Sequence, residues 1–304
     1  MTKYNLITIL GPTATGKTRL AAMLANRTDG EIISADSRQV YRRMDIGTGK
    51  DYSDYLVGGN EIPCHLLDIE DPGNHYNVYR FQTDFIEAYK DIVARDKMPV
   101  LCGGSGLYLE AVLKNYKLIT VPPDKELRQK LRGKTLDELT AILWELKPGL
   151  HNKTDIETER RALRAIEIEL YYKNNPMLET DMPAINSLNI GLMFDRETRR
   201  KRISERLQQR IELGMIGEVK KLLDSGLTPQ QLIYYGLEYK YITLYITGEL
   251  TYDEMTSRLE TAIHQFAKRQ MTWFRGMIKR GIDINWIDGN LSTDEKIEKI
   301  LELF

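Results

Sequence analysis

The segment Gly11-Pro12-Thr13-Ala14-Thr15-Gly16-Lys17-Thr18 constrains this chain more than any other. Asn5 to Leu10 before it reads as a buried strand, and a helix is expected from about Lys17 to Asn26. Gly-x4-Gly-Lys-Thr between a strand and a helix is the pattern of a phosphate-binding loop, or P-loop. Glycines let the backbone fold so that successive N–H groups point inward at phosphate oxygens. The helix N-terminus adds partial positive charge. Lys17 supplies a mobile cation for the terminal phosphates, and Thr18 offers a hydroxyl to Mg²⁺. The loop therefore predicts a phosphorylated ligand. It does not say which ligand, nor that phosphate is transferred.

The next segments extend the α/β reading. Glu31 to Ala35 is a short apolar strand that ends at Asp36, and His65 to Ile69 is a weak third strand. Val78, Phe81, Phe85, Ala88, Tyr89 and Ile92 have helical spacing. Met98 to Cys102 reads as a strand that breaks at Gly103-Gly104-Ser105-Gly106 and passes into a helix. Strands alternating with helices predict a parallel, doubly wound sheet. The pattern changes at Val121-Pro122-Pro123, after which residues 124–172 show helical stretches and no convincing strand. Asn174-Asn175-Pro176 and Met182-Pro183 mark a second boundary. Asn189 to Phe194 resumes a buried strand, Arg196 to Leu223 reads as one long helix, and Ile284 to Ile287 as a last strand. The expected fold is a P-loop NTPase-like α/β core, residues 1–114 and 187–304, with a helical insertion domain at 115–186.

Composition removes other classes. Of 304 residues, 42% are hydrophobic and 29% charged, which excludes a disordered or fibrous chain. No run of about 18 apolar residues exists, so no membrane span is expected. The short apolar run before Gly11 is too short for a signal peptide, so a cytoplasmic location is expected. The two cysteines, Cys64 and Cys102, read as reduced thiols. The four histidines show no metal-ligand spacing.

The net charge of −1 hides an uneven distribution. Residues 196–210 hold Arg196, Arg199, Arg200, Lys201, Arg202, Arg206 and Arg210 against two glutamates. Residues 264–280 hold Lys268, Arg269, Arg275, Lys279 and Arg280 and no carboxylate. Such stretches suit a polyanion contact or a solvated helix face.

In a doubly wound sheet, the carboxyl ends of the strands line the ligand crevice. Asp36 and residues 37–41 should therefore face the phosphate-loop ligand. Asp36 then holds Mg²⁺ through water, acts as a general base, or caps a helix. Gly103 to Gly106 brings backbone close to the ligand, or simply turns the chain.

Together these segments resemble the tRNA dimethylallyltransferase family of bacterial type. The resemblance covers Gly11–Thr18, Ser34–Lys50 with its Asp-Ser-Arg-Gln-Val-Tyr core, and His65–Ile69 before Asp71-Pro72. It continues with Gly103–Tyr108, Arg161–Glu167, Arg202-x3-Arg206 and Ala267-Lys268-Arg269-Gln270-Met271-Thr272-Trp273-Phe274-Arg275. It implies transfer of a dimethylallyl group from dimethylallyl diphosphate to N6 of adenosine 37, just 3′ of the anticodon, in tRNAs reading codons that begin with U. It implies Mg²⁺ as cofactor, no membrane and no readable protein partner. By the same resemblance Asp36 is the base, and Thr13 and Thr18 line the diphosphate site with the rest of Gly11–Thr18. Arg202 and Arg206 reach the diphosphate, and Ser105 sits near the incoming nucleotide. Asp36, Ser37, Arg38, Gln39, Arg160, Arg161 and Arg164 contact the target loop of the RNA, and the insertion grips the anticodon stem. Trp273 is expected to pack in the core. The sequence departs from the family at Tyr235-Gly236-Leu237-Glu238 and Ile263-His264-Gln265, where Gly-Tyr-Lys/Arg-Glu/Gln and Thr-Arg-Gln are commoner. Rival readings are an isopentenyltransferase acting on free adenine nucleotides, a P-loop small-molecule kinase, and a non-catalytic RNA-binding protein.

Overall fold

A computed structural model describes residues 3–148, 153–175 and 181–304. His151 and Pro176 lie outside the described residues. The chain divides into two compact units: Met1–Tyr116 with Met182–Phe304, and Lys117–Asp181.

The larger unit is built on a parallel sheet. Its strands are β1 (Leu6–Leu10), β2 (Gly30–Ser34), β5 (Cys64–His65), β6 (Met98–Gly103), β7 (Ser187–Met193) and β8 (Asn285–Asp288). Their order across the sheet is β5-β2-β6-β1-β7-β8. Every neighbouring pair is parallel, with Ile7 opposite Val100 and Thr8 opposite Asn189 in the centre. A small antiparallel hairpin, β3 (Leu56–Val57) with β4 (Asn60–Glu61), stands beside it.

Alternation sets the two faces. Leu6, Leu10, Ile33 and Leu101 point into one apolar cluster. Ile7, Ile9, Ile32, Val100 and Ile190 point into the other. Helices cover both faces, as a wholly parallel sheet requires. α1 (Lys17–Arg27) packs Leu20 and Leu24 on the second face, with Ile297 and Ile300 of α12 (Thr293–Leu303). α2 (Val78–Ala94), α3 (Gly106–Leu113), α7 (Arg196–Glu212) and α11 (Tyr252–Lys279) bury apolar stripes in the first. The stripe on α11 is Met255, Leu259, Ile263, Ala267, Met271, Phe274 and Met277, a helical period sustained over 28 residues. Short α9 (Pro229–Tyr234) and α10 (Leu237–Ile246) complete that layer.

Two sequence expectations change. The helix expected over Arg196 to Leu223 is two: α7 stops at Glu212 and α8 runs Met215–Asp224. Gly214 takes φ +97°, a left-handed conformation that ends one helix and starts the next. The strand expected over His65 to Ile69 ends at His65, because Leu66 and Asp68 have φ of +62° and +52°, outside the extended region.

The smaller unit is helical: α4 (Lys125–Lys130), α5 (Leu136–Leu146) and α6 (Glu159–Asn174). Leu139, Leu143, Ala162 and Ile166 form its core. Glu167 is buried there and accepts from Arg128, Arg164 and the Asp124 N–H. Burial pushes its carboxyl up, but these donors outweigh burial and hold it low.

Candidate active site

The carboxyl ends of β1, β2 and β6 bring three loops together. The close fit has a steric cause: a Cβ on Gly103 would meet the Ala35 carbonyl oxygen at 2.3 Å. The Ala35 N–H donates to Cys102 O at 2.8 Å. The Ser37 N–H donates to Ser105 Oγ at 3.2 Å. Asp36 and Ser105 are thus held beside one another. Asp36 Oδ1 accepts from the Arg38 N–H at 2.9 Å. No helix begins at Asp36, so the capping alternative is removed.

In the phosphate loop, Thr15 Oγ1 and Lys17 Nζ both donate to Pro12 O, at 2.9 and 2.8 Å. Lys17 thereby folds back over its own loop. Burial pushes its ammonium down to about 8; the Arg206 charge acts in the same direction, and Asp36 opposes it. Lys17, Asp36 and Arg206 therefore sense one another electrostatically.

Three arginines of α7 at spacing four, Arg202, Arg206 and Arg210, face this loop. Arg202 Nε donates to Ala14 O at 2.9 Å, and its guanidinium lies 4.7 Å from the Phe194 ring centroid. Arg206 pairs with Asp51 at 2.9 Å. The cleft above Ala14–Thr18 is walled by Arg202, Arg206, Asp51 and Asp54. Arg210 is buried deeper, in an adjoining cavity with Glu238, Ile203, Leu207 and Ile263. Burial lowers Arg210 to about 10 and raises the Glu238 carboxyl. The sequence reading missed Arg210 as a site residue, although its spacing continues that of Arg202 and Arg206.

Two further residues were not expected at the site, although Gln270 lies within the Ala267–Arg275 segment. Gln270 of α11 accepts from the Thr13 N–H and donates to Gly104 O, both at 2.9 Å. Glu218 of α8 accepts from the N–H groups of Asp45, Ile46 and Gly47, and from the Tyr239 hydroxyl, at 2.7–3.0 Å. Beneath the same loop, buried Lys50 donates to Tyr41 O and pairs with Asp45, both at 2.7 Å, and also pairs with Asp68. These contacts fix the segment that follows Asp36.

The structure brings Asp36, Ser37, Ser105, Gly11–Thr18, Arg202 and Arg206 to one edge of the sheet. The Gln39 amide is turned inward, donating to Gly49 O at 3.0 Å. Arg160, Arg161 and Arg164 belong to the other unit. Arg160 is exposed, whereas Arg164 is committed to Glu167 and to Val121 O. Arg161 pairs with Glu157. Lys268, Arg269 and Arg275 lie on the exposed side of α11, and Trp273 packs against Gly106, where an added Cβ would meet the indole at 2.3 Å. Asn152-Lys153-Thr154-Asp155 spells the Asn-Lys-x-Asp signal of GTPases. Lys153–Ile156 is a 3₁₀ turn in the helical unit, not the end of a sheet strand.

The family model for IPP transferases matches residues 39–277, and a model for isopentenyl transferases matches residues 4–65. The chain belongs to the IPP transferase family. Among its relatives, tRNA dimethylallyltransferase 2 of Porphyromonas gingivalis is 61% identical, over 98% of this chain and 99% of the relative. The protein of the same name in Phocaeicola vulgatus is 59% identical, over 100% of this chain and 98% of its own length. Solved structures of the family share its fold. The full-length tRNA isopentenylpyrophosphate transferase of Bacillus halodurans is 34% identical with a TM-score of 0.72, covering 99% of this chain and 95% of that one. A eukaryotic dimethylallyltransferase acting on tRNA is 25% identical with a TM-score of 0.74, covering 93% and 73%. The P-loop crevice described above is this family member's candidate active site. No helix among the described residues is long and apolar enough to cross a membrane.

Proposed function

We propose that the chain transfers a dimethylallyl group from dimethylallyl diphosphate to N6 of adenosine 37 in tRNAs that read codons beginning with U. One observation carries the chemistry: the Asp36 carboxylate follows the carboxyl end of β2 within electrostatic reach of Lys17, and Lys17 lines a cleft with Arg202 and Arg206.

The allylic C1–O bond breaks and its electron pair leaves on the diphosphate. Charge grows on those oxygens, so donors already in place stabilise the transition state. The N–H groups of Gly11–Thr18, Lys17, Arg202 and Arg206 are those donors. Arginine suits the task because its fork stays charged and binds two oxygens at once. The adenine amine is a weak nucleophile, because its lone pair is delocalised into the ring. As N6 bonds to C1 it loses a proton, which the Asp36 carboxylate accepts. Thr13 lines the adjoining cavity with Arg206 and Arg210, and Ser105 orients the Asp36 loop.

The residues fit Mg²⁺. That ion keeps several waters and takes few protein ligands beside substrate phosphates. Among the described residues no cluster of three or more His, Cys, Asp or Glu side chains is arranged for a metal, whereas Thr18 faces the cleft. Thr18 would hold the ion together with diphosphate oxygens, and the bound ion would neutralise charge on the leaving group.

The helical unit is assigned to the anticodon stem, with Arg160 and Arg161 reaching the target loop. A mononucleotide substrate gives such a unit no role. A tRNA substrate puts the enzyme in the cytoplasm.

The test is a mass assay. The protein is incubated with Mg²⁺, dimethylallyl diphosphate and unmodified tRNA, and the digested nucleosides are weighed. A gain of C5H8 on adenosine 37 is expected. A gain on AMP or ADP alone would replace tRNA with a free nucleotide. Phosphate transfer from ATP without prenyl transfer would replace the reaction.

A further inference from the structure

Tyr234 ends α9 and is 38% exposed. Its ring meets His75 edge-on, with centroids 4.5 Å apart. The Arg38 guanidinium lies 5.0 Å from its centroid. His75 is exposed as well. Exposed aromatic groups of this kind do little for folding, since little of their surface leaves water.

The layer beneath is rigid. Tyr235 is buried and meets Tyr41 edge-on at 4.6 Å. The Tyr235 hydroxyl accepts from the Gly73 N–H and donates to Asn74 O, tying the segment that carries His75 to α9. The Tyr41 hydroxyl accepts from the Tyr76 N–H at 2.8 Å. Two aromatic rings are therefore held on a fixed support.

The cluster adjoins the reacting centre. Arg38 stands two residues after Asp36 and its N–H bonds to the Asp36 carboxylate. Buried Tyr108 lies among Asp36, Arg38, Tyr41 and Tyr234, all close enough to act on its hydroxyl. On the same loop Arg43 is exposed, and Arg42 is paired with Asp71 at 3.1 Å.

A partly exposed ring with a guanidinium on it and exposed Arg43 on the same loop suits an unpaired nucleobase and its phosphate. Single-stranded RNA is held in this way, by stacking on aromatic and guanidinium planes. We infer that Tyr234, with His75 and Arg38, forms a stacking platform for an unpaired base neighbouring the target adenosine in the RNA loop. This inference rests on the tRNA-modifying reading above.

The test uses an anticodon stem-loop RNA carrying 2-aminopurine in turn at each loop position except the target adenosine. Wild type is expected to quench 2-aminopurine at one position next to the target. Tyr234→Phe keeps that quench. Tyr234→Ala loses it and raises KM for the RNA about tenfold or more, the scale of one base–aromatic stack. KM for dimethylallyl diphosphate is unchanged. His75→Ala, on an exposed residue, gives a smaller loss in the same direction and serves if Tyr234→Ala misfolds. Equal quenching and equal KM in wild type, Tyr234→Ala and His75→Ala would overturn the platform while leaving prenyl transfer intact. Wild type that neither binds nor modifies the RNA would overturn the tRNA reading and the platform with it.

Discussion

Gln270 and Thr13 are 257 residues apart in sequence, yet the Gln270 amide oxygen accepts the Thr13 N–H at 2.9 Å. The other end of that amide donates to Gly104 O. One buried side chain thus spaces the phosphate loop from the loop that carries Ser105. Gln270→Ala leaves a buried donor and a buried acceptor without partners. A loss of about 1–3 kcal/mol in stability is expected in urea unfolding. The phosphate loop also loses a positioning contact, so KM for dimethylallyl diphosphate rises severalfold. An unchanged KM with the stability loss present would limit Gln270 to folding.

Asp36 is expected to set turnover rather than RNA affinity. Asp36→Ala should lower kcat by about 10²-fold or more, the scale of a general base. Binding of tRNA, measured by filter retention, stays within a few-fold of wild type. Wild-type kcat in that variant would remove Asp36 as the proton acceptor.

The lowered Lys17 ammonium gives a pH signature. The free enzyme loses this cation as pH rises through about 8, well below the ordinary 10.5. Since kcat/KM reports the free enzyme, kcat/KM for dimethylallyl diphosphate falls on the alkaline side with a midpoint near 8. Stability runs the other way. Between about 8 and 10.5 the unfolded chain binds more protons at this lysine than the folded one, so stability rises with pH there. In Lys17→Met the rise attributable to this group disappears from the pH dependence of urea unfolding, whatever happens to activity.

The phosphate loop was legible because all its parts lie within eight consecutive residues, and the strand and helix around it are strongly patterned. Arg202 and Arg206 were legible through the family resemblance, and Arg210 continues their spacing by one more step of four. Gly214 was misread, because apolar periodicity continues across it from Leu207 to Val219 and a lone glycine inside a helix is tolerated. α11 went unread because its basic residues drew attention to a surface, while its apolar stripe was not followed. Glu218 illustrates the remaining limit. A glutamate in an amphipathic helix looks solvated, and only the approach of Asp45, Ile46 and Gly47, over 170 residues away, makes it an anchor.

At the opposite, amino end of β2, Glu31 is almost wholly buried and accepts from Arg95 and from His65 Nε2, the latter at 2.7 Å. The Arg95 hydrogen bond, followed by that of His65, outweighs burial and brings its carboxyl down from 4.5 to about 2. A carboxyl lowered on folding contributes stability above its unfolded value and loses it as pH falls through the folded one. The contribution is therefore complete above about 4.5 and lost between there and about 2. The shift corresponds to about 2–3 kcal/mol, taking into account that Arg95 is partly exposed. Glu31→Gln should flatten the decline in urea-unfolding free energy between these pH values. It should also lower stability at neutral pH by about 2 kcal/mol, because Arg95 and His65 lose the charge and one accepting oxygen of their shared carboxylate. Turnover at neutral pH is expected to stay near wild type, since β2 carries Glu31 away from Asp36 at its other end. An acid slope identical to wild type would mean that folding does not lower the Glu31 carboxyl.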